Sequence, residues 1–367
     1  MNLTTTDTTA FEPIIVGDLQ LRNRIVMSPM TRSRAFGTLP TDDMATYYAQ
    51  RAGAGLIITE GVQPSPVGQG YPDTPGLHSA AQVDAWRRVT DAVHGGGGVI
   101  VAQIMHTGRI GHPSTTQAAG QGALTPVAPS AVRADGQVFT PTGSQDNVTP
   151  RALSESEIAA TIGDFVTAAR NAIDAGFDGV EVHGANGYLL HQFLAPNANR
   201  RRDNWGGSPR NRIRLTVEVV SAVADAIGAG RTGLRISPAN GLGDTDEPDY
   251  ADVYPLLVDE LDGRGLAYLH VIEAGAPELT PVLRTAWHGA LILNAADPDP
   301  RTHVDRLHRL ARGDADLLSF GRLFISNPDL VERLAAGAQP ALPDLSKAYG
   351  GDHRGYIDYP SLAAVAS

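Results

Sequence analysis

Cysteine is absent from this chain, which excludes disulfides, thiolate zinc sites, cysteine-ligated iron–sulfur clusters and a cysteine nucleophile. Lysine is nearly absent. The single one, Lys347, lies outside every strand expected below, so a Schiff-base barrel has no amine to use. Long apolar runs are missing as well: none approaches the roughly 20 residues that a membrane helix needs. Residues 1–10 are polar and carry no basic-then-apolar leader pattern, so a cytoplasmic protein is expected. Basic runs are also lacking, and the formal net charge is −11. Nucleic acid and anionic membranes are gripped through Lys and Arg, so neither is expected as a partner. One phosphate needs only a local pocket, and an anionic cofactor is compatible with this charge. No metal is expected.

Short runs rich in Val, Ile and Leu recur along nearly the whole sequence. They read as strands at 25–30, 55–61, 99–106, 179–185, 232–238, 266–273, 290–294 and 316–322. Continuous rather than alternating apolar runs mark strands buried on both faces, as in a parallel sheet. Helical patterns lie between them, at 81–94, 154–175, 211–226, 252–262 and 302–312. Ser154 and Glu157 form a capping box at the start of the second of these, and Gly176 stops it. Eight strands alternating with helices predict an α/β fold, a single (β/α)₈ barrel over residues 1–367. One connection breaks the rhythm. Residues 107–153, rich in Gly, Pro, Ser, Thr and Gln, are too long for an ordinary loop and are expected to form a cap or lid after the third strand.

Barrels place their chemistry at the C-terminal ends of the strands. Those ends carry Pro29, Met30 and Thr31; Glu60 and Gly61; Gln103 and His106; His183 and Asn186; and then Arg235, Glu273, Asn294 and Arg322. Arg235 is a cation within a strand. It is either needed by a ligand or paired with Glu273 or another acid, and the residues alone leave both readings open. Gly321 permits close backbone approach and Arg322 can hold a phosphate bidentately, at the position where barrels bind phosphate. Asn294, Ala295 and Ala296 close the seventh strand in a matching position. His183 and Asn186, three apart, can converge on one oxygen atom, and Tyr188 beside them carries a weakly acidic phenol. Taken singly, each of these three has a plainer reading as a buried His, a capping Asn and a packed Tyr.

Residues 183–215, HGANGYLLHQFLAPNANRRRDNWGGSPRNRIRL, resemble the signature segment of the Old Yellow Enzyme family. So do LRNRIVMSPMTR (21–32), VAQIMHTGR (101–109), LRISP (234–238), FGRLFISNPDL (320–330) and GYIDYPSL (355–362), in order along essentially the whole chain. The resemblance implies one barrel domain holding FMN, with NADPH or NADH as reductant and an activated alkene, an α,β-unsaturated carbonyl or nitroalkene, as substrate. Hydride would pass from the nicotinamide through the flavin to the alkene. By the same resemblance, Thr31 would bond the flavin near its C4 oxygen, and Gln103 and Arg235 would hold its pyrimidine end. Pro29, Met30 and Gly61 would pack against the ring. Arg322, Gly321 and the turn Asn294, Ala295, Ala296 would hold the phosphate. His183 and Asn186 would bind the substrate oxygen, Tyr188 would donate the proton, and Tyr71 and Tyr356 would stand at the pocket rim. A monomer or homodimer is expected.

Three departures accompany the resemblance. Met105 stands where many members have Trp, which reshapes the substrate pocket. The turn at 294–296 has two Ala in place of the usual Gly. Trp205 replaces a Tyr before Gly-Gly-Ser. The alternatives are a flavin-dependent isomerase of the same family, a phosphate-binding barrel aldolase or isomerase, and a non-catalytic ligand-binding barrel. The lone Lys347 weighs against the second, and the intact Tyr188 with its His/Asn pair against the third.

Overall fold

The computed structural model describes residues 5–295 and 303–362. Eight parallel strands close into a barrel: β1 Ile25–Met27, β2 Leu56–Val62, β3 Ile100–Ile104, β4 Gly179–Gly184, β5 Thr232–Ile236, β6 Tyr268–Ile272, β7 Ala290–Asn294 and β8 Leu317–Phe320. Each pairs with its neighbours in chain order, and β8 returns to β1 with Leu318 opposite Ile25. Every expected strand is present: the seventh has the expected bounds, the second is shifted by one residue, and the other six are shorter by one to three residues. Their continuous apolar character has the anticipated cause: β1 to β6 and β8 are buried at every position.

The outer ring is α1 Asp42–Ala49, α2 Ala80–Gly95, α3 Glu155–Asp174, α4 Pro209–Ile227, α5 Tyr250–Leu261, α6 Thr280–Ala286, α7 His303–Ala311 and α8 Arg322–Ser326. The expected capping box of α3 forms, with Ser154 accepting from the Glu157 N–H and Glu157 reaching back. Gly176, at φ +88°, ends it, because the Schellman-type bonds Gly176 N–H to Ile173 (2.9 Å) and Phe177 N–H to Ala172 (3.0 Å) require a left-handed residue there. Ser154→Ala is therefore expected to cost about 1 kcal/mol of unfolding free energy, read as a lower denaturant midpoint at unchanged slope. An unchanged midpoint would mean that packing alone holds this end of α3.

Three helices of the ring, α1, α6 and α8, escape a reading by periodicity, since one or two turns offer too few repeats of an apolar face. A small N-terminal hairpin, Ile14–Val16 with Leu19–Leu21, escapes it for the same reason. Its Val16, Leu19 and Leu21 pack on Val26, Leu56, Ile58, Val101 and Leu317, closing the bottom of the barrel and leaving the top for ligands. The long connection after β3 carries a short helix, Pro113–Ala118, a two-residue parallel pair and a hairpin, Gln137–Thr140 with Gly143–Asp146. Buried Arg109 at its base donates to the carbonyls of Gly243 (3.0 Å) and Asp244 (2.5 Å), tying it to the loop after β5. Among the described residues, no helix is long and apolar enough to cross a membrane.

Candidate active site

The C-terminal ends of the strands open onto one cavity of about 730 Å³. Pro29, Met30 and Thr31 enter it after β1, and Gly61 at the end of β2. A register shift between Ile58 and Gly61 bends β2 and turns Gly61 to face the cavity. Gln103 comes from β3 and Met105 from just after it, Arg235 from β5, and Gly321 and Arg322 from the turn that leads from β8 into α8. His183, Asn186, Tyr188 and Tyr71 line the remaining side. A Cβ added to Gly61 would lie 2.4 Å from the Met105 Cε, so the thioether occupies the space above this glycine. At Gly321 an added Cβ would come no closer than 3.6 Å to its nearest neighbours, Met30 and Ser28, so its backbone leaves room at the cavity wall.

The segment after β4 is built to present three side chains. Asn186 sits at φ +57°, a left-handed conformation that Asn tolerates. Its backbone N–H donates to Ser237 Oγ (2.8 Å), and its Oδ1 accepts from Asn240 Nδ2 (2.8 Å). With the oxygen occupied, the Nδ2 donor is left for the cavity. Gly187, at φ +77°, passes so close to Leu242 that a Cβ would lie 2.1 Å from its carbonyl oxygen. His191 accepts from the Gly187 N–H (2.8 Å), and its other nitrogen lies 2.8 Å from Glu247. Glu247 in turn accepts from Tyr254 (2.8 Å) and from the Ala239 N–H (3.0 Å), locking the loops after β4 and β5 together. None of Asn240, Ser237, His191 or Glu247 stood out in the sequence, because their partners are set by two loops far apart in the chain.

His183 is 2% exposed, and neither ring nitrogen has a partner within the protein. Burial, reinforced by the positive charge of Arg235, holds its pKa well below the usual histidine value, so the imidazole is neutral. Tyr188 lies beside it, ring centroids 5.4 Å apart, with its hydroxyl 3.1 Å from that of Tyr71. Burial, and then Tyr71, push the Tyr188 phenol well above the ordinary value, so it keeps its proton. Arg235 is pulled down to about 10 by burial and stays a cation at neutral pH.

The ion pair considered for Arg235 does not form: Glu273 binds Arg309 at 3.0 and 3.2 Å. The Arg235 Nε has no partner. Glu60 and His106 are buried and turn away from the cavity. Glu60 faces the Arg32 N–H and Tyr48, and burial raises its pKa to about 7.

Three expected site residues lie elsewhere. Asn294 turns down from the rim: its amide nitrogen donates to the Ser319 carbonyl (3.0 Å) and Ser28 Oγ (3.3 Å), and its oxygen faces Arg235 at 3.5 Å. Its side chain supports the arginine, and neither it nor Ala295 beside it lines the cavity; Ala295 packs on the core. Ala296 lies outside the described residues. Tyr356 is fully buried, stacked on Tyr47 (4.2 Å) between the guanidinium groups of Arg32 and Arg34. It anchors a C-terminal strap whose backbone is held by Arg32, bound to the carbonyls of Ala348 (2.7 Å) and Gly355 (2.9 Å). The strap's contributions to the cavity are Leu345, Ala348 and Tyr349, the last 69% exposed. The hairpin Gln137–Thr140 with Gly143–Asp146 adds Phe139, 59% exposed, to the cavity lining. Which tyrosine reaches the rim depends on the path of the strap, which no local pattern encodes.

Residues 9–340 match the model of the NADH:flavin oxidoreductase / NADH oxidase family. The chain is 40% identical to 12-oxophytodienoate reductase 1 of Oryza sativa subsp. japonica over 368 residues, 96% of this chain and 93% of that protein. It superposes on the Old Yellow Enzyme homologue of Zymomonas mobilis with a TM-score of 0.90 at 38% identity, over 96% and 99% of the two chains. Against morphinone reductase in complex with tetrahydroNAD the TM-score is 0.90 at 42% identity, over 96% and 97%. With an eight-stranded barrel, a matching family model and relatives aligned over nearly their whole lengths, the chain belongs to the Old Yellow Enzyme family of flavin-dependent oxidoreductases, the ene-reductases.

Proposed function

We propose that this protein holds FMN non-covalently and uses NADPH or NADH to reduce the activated C=C bond of α,β-unsaturated carbonyls or nitroalkenes, with residues 1–367 acting as one domain and 107–153 as its lid. The observation that carries the reading is the convergence of two unpartnered neutral donors, His183 and Asn186 Nδ2, beside a protonated Tyr188 at the cavity wall. Bound FMN supplies a hydride carrier between nicotinamide and alkene.

The residues present fit that cofactor. Gln103 offers a free amide oxygen, Arg235 an unpartnered Nε, Gly321 an open backbone and Arg322 a cation at the opposite end. His183 and Asn186 would bind the substrate oxygen and draw electron density from the alkene, making its β-carbon electrophilic. Tyr188 would give its proton to the α-carbon. Tyr71, within hydrogen-bond distance of Tyr188, would hold the phenol in place. Met105, Phe139 and Tyr349 would shape the remaining space around the substrate. The family description names NADH and one structural relative is in complex with tetrahydroNAD, which supports a nicotinamide as the hydride donor.

The purified protein is expected to be yellow, to release FMN rather than FAD on acid denaturation, and to bleach under anaerobic NADPH or NADH with colour returning on addition of an enone. A colourless protein that takes up no added FMN would overturn the reading. Arg322→Ala should weaken FMN binding by roughly 10–150-fold, the worth of a hydrogen bond to a charged group, about 1.5–3 kcal/mol. Flavin fluorescence on dilution measures this, and an unaltered Kd would remove Arg322 from the phosphate site.

A further inference from the structure

Beneath Gln103 and Arg235 lies a fully buried carboxyl group, Glu181, that the proposed reaction does not use. It projects from β4 into the barrel, one layer below His183. The register sets Glu181 opposite Gln103 on β3 and opposite Gly233 on β5, with His183 opposite Arg235 in the layer above. Gly233 contributes no side chain, and the ring of Tyr268 fills that place. Glu181 therefore sits directly under the polar end of the cavity.

Its partners are specific. Gln103 Nε2 donates to one carboxylate oxygen at 2.7 Å. His270 Nδ1 lies 2.8 Å from the other, and the far nitrogen of that ring lies 2.8 Å from Ser319 Oγ. We propose that Glu181 is a positioning residue with two effects: it pins Gln103 so that its amide oxygen alone faces the cavity, and its negative charge partly offsets that of Arg235 and keeps the bound flavin harder to reduce. This inference rests on the FMN reading above.

The first effect follows from donor and acceptor inventories. A carboxylate only accepts, so Gln103 must turn its NH₂ toward Glu181 and leave its carbonyl free. A free glutamine could present either end. A pinned one presents an acceptor, the complement of an imide N–H such as that at the pyrimidine end of a flavin. The second effect follows from charge. The hydrogen-bond partners of Glu181 given above, Gln103 and His270, are both neutral, since burial and Arg235 push His270 down to about 4. The nearby cation is Arg235 in the next layer. A reduced flavin held there as the anion would be opposed by a buried carboxylate.

Two substitutions separate the effects on the FMN-loaded protein. Glu181→Gln keeps shape and an acceptor for Gln103 while removing the charge. It should make reduced flavin bind roughly tenfold tighter relative to oxidised, the size expected for a unit charge across roughly 10 Å at an effective dielectric near 20. For a two-electron couple that is a potential about 30 mV more positive. The Kd for oxidised FMN should stay within about threefold of the parent.

Glu181→Asp keeps the charge but withdraws the carboxylate from Gln103. Its potential should match the parent, and its Kd for oxidised FMN should rise by about tenfold or less, the worth of one oriented hydrogen bond. Dye equilibration gives the potential and fluorescence the Kd. The inference is overturned if Glu181→Gln leaves the potential unchanged, or if both variants shift both quantities alike, as a merely structural role would. Should Glu181→Gln fail to fold, a shifted potential or an unaltered Kd in Glu181→Asp would overturn it alone. Failure of the parent to bind FMN would instead strike the functional reading.

Discussion

Tyr188→Phe is expected to slow reoxidation by cyclohexenone about 10²–10⁴-fold, the usual worth of a positioned general acid, while reduction by NADPH proceeds at nearly the parental rate. The substitution removes one hydroxyl and its 3.1 Å contact with Tyr71, and leaves the ring beside His183. The asymmetry arises because the phenol is needed only after hydride has left for the alkene. Nitroalkenes should be less affected, since the nitronate they form is stable without immediate protonation. The phenol is held above its ordinary value of about 10, so it should impose no alkaline loss of rate below that pH. Stopped-flow absorbance separates the two halves. Equal slowing of both would assign Tyr188 a structural role. Unchanged enone reoxidation would mean that water or another group supplies the proton.

Replacing His183 and Asn186 together by Ala should have an effect of similar size on a different observable. Removal of one oxyanion donor typically costs 10²–10³-fold, so the double variant should lose at least that much in kcat/KM for enones. A readily ionised phenol should bind the parent with a long-wavelength charge-transfer band, and the double variant should show none while still holding FMN. The reason lies in the electrostatics of the site. His183 is neutral and unpartnered, and Asn186 is turned by Asn240 to present its amine end, so both donate without adding a full charge to the pocket. A full-strength band in the double variant would remove the pair from the oxygen-binding site. Neither substitution touches Arg322, proposed to hold the phosphate, so loss of FMN would point to collapse of the loop rather than loss of function.

Much of the molecule is present in local sequence. Continuous apolar runs marked all eight barrel strands because a parallel strand is covered on both faces, and that demand acts residue by residue. Ser154 with Glu157 and Gly176 marked the two ends of α3 because capping is satisfied within one turn. The positions of His183, Asn186, Tyr188, Gln103, Arg235 and Arg322 at the cavity follow from strand ends alone, since a closed barrel sends every C-terminal end to one face.

Tertiary structure decided what depends on two distant segments meeting. Arg235 makes no ion pair with Glu273 because Glu273 is taken by Arg309, a choice made between strands and an outer helix. The Asn294 side chain is turned away from the cavity by Ser319 on the neighbouring strand β8 and by Ser28 just after β1. Tyr356 became the buried anchor and Tyr349 the rim residue because Arg32 and Arg34 bind the strap's carbonyls, and carbonyl positions leave no mark on side-chain pattern. The orientation of the Asn186 and Gln103 amides has the same origin. Each side chain could present either end by itself, and Asn240 and Glu181, brought in from other strands and loops, select the donor in one case and the acceptor in the other.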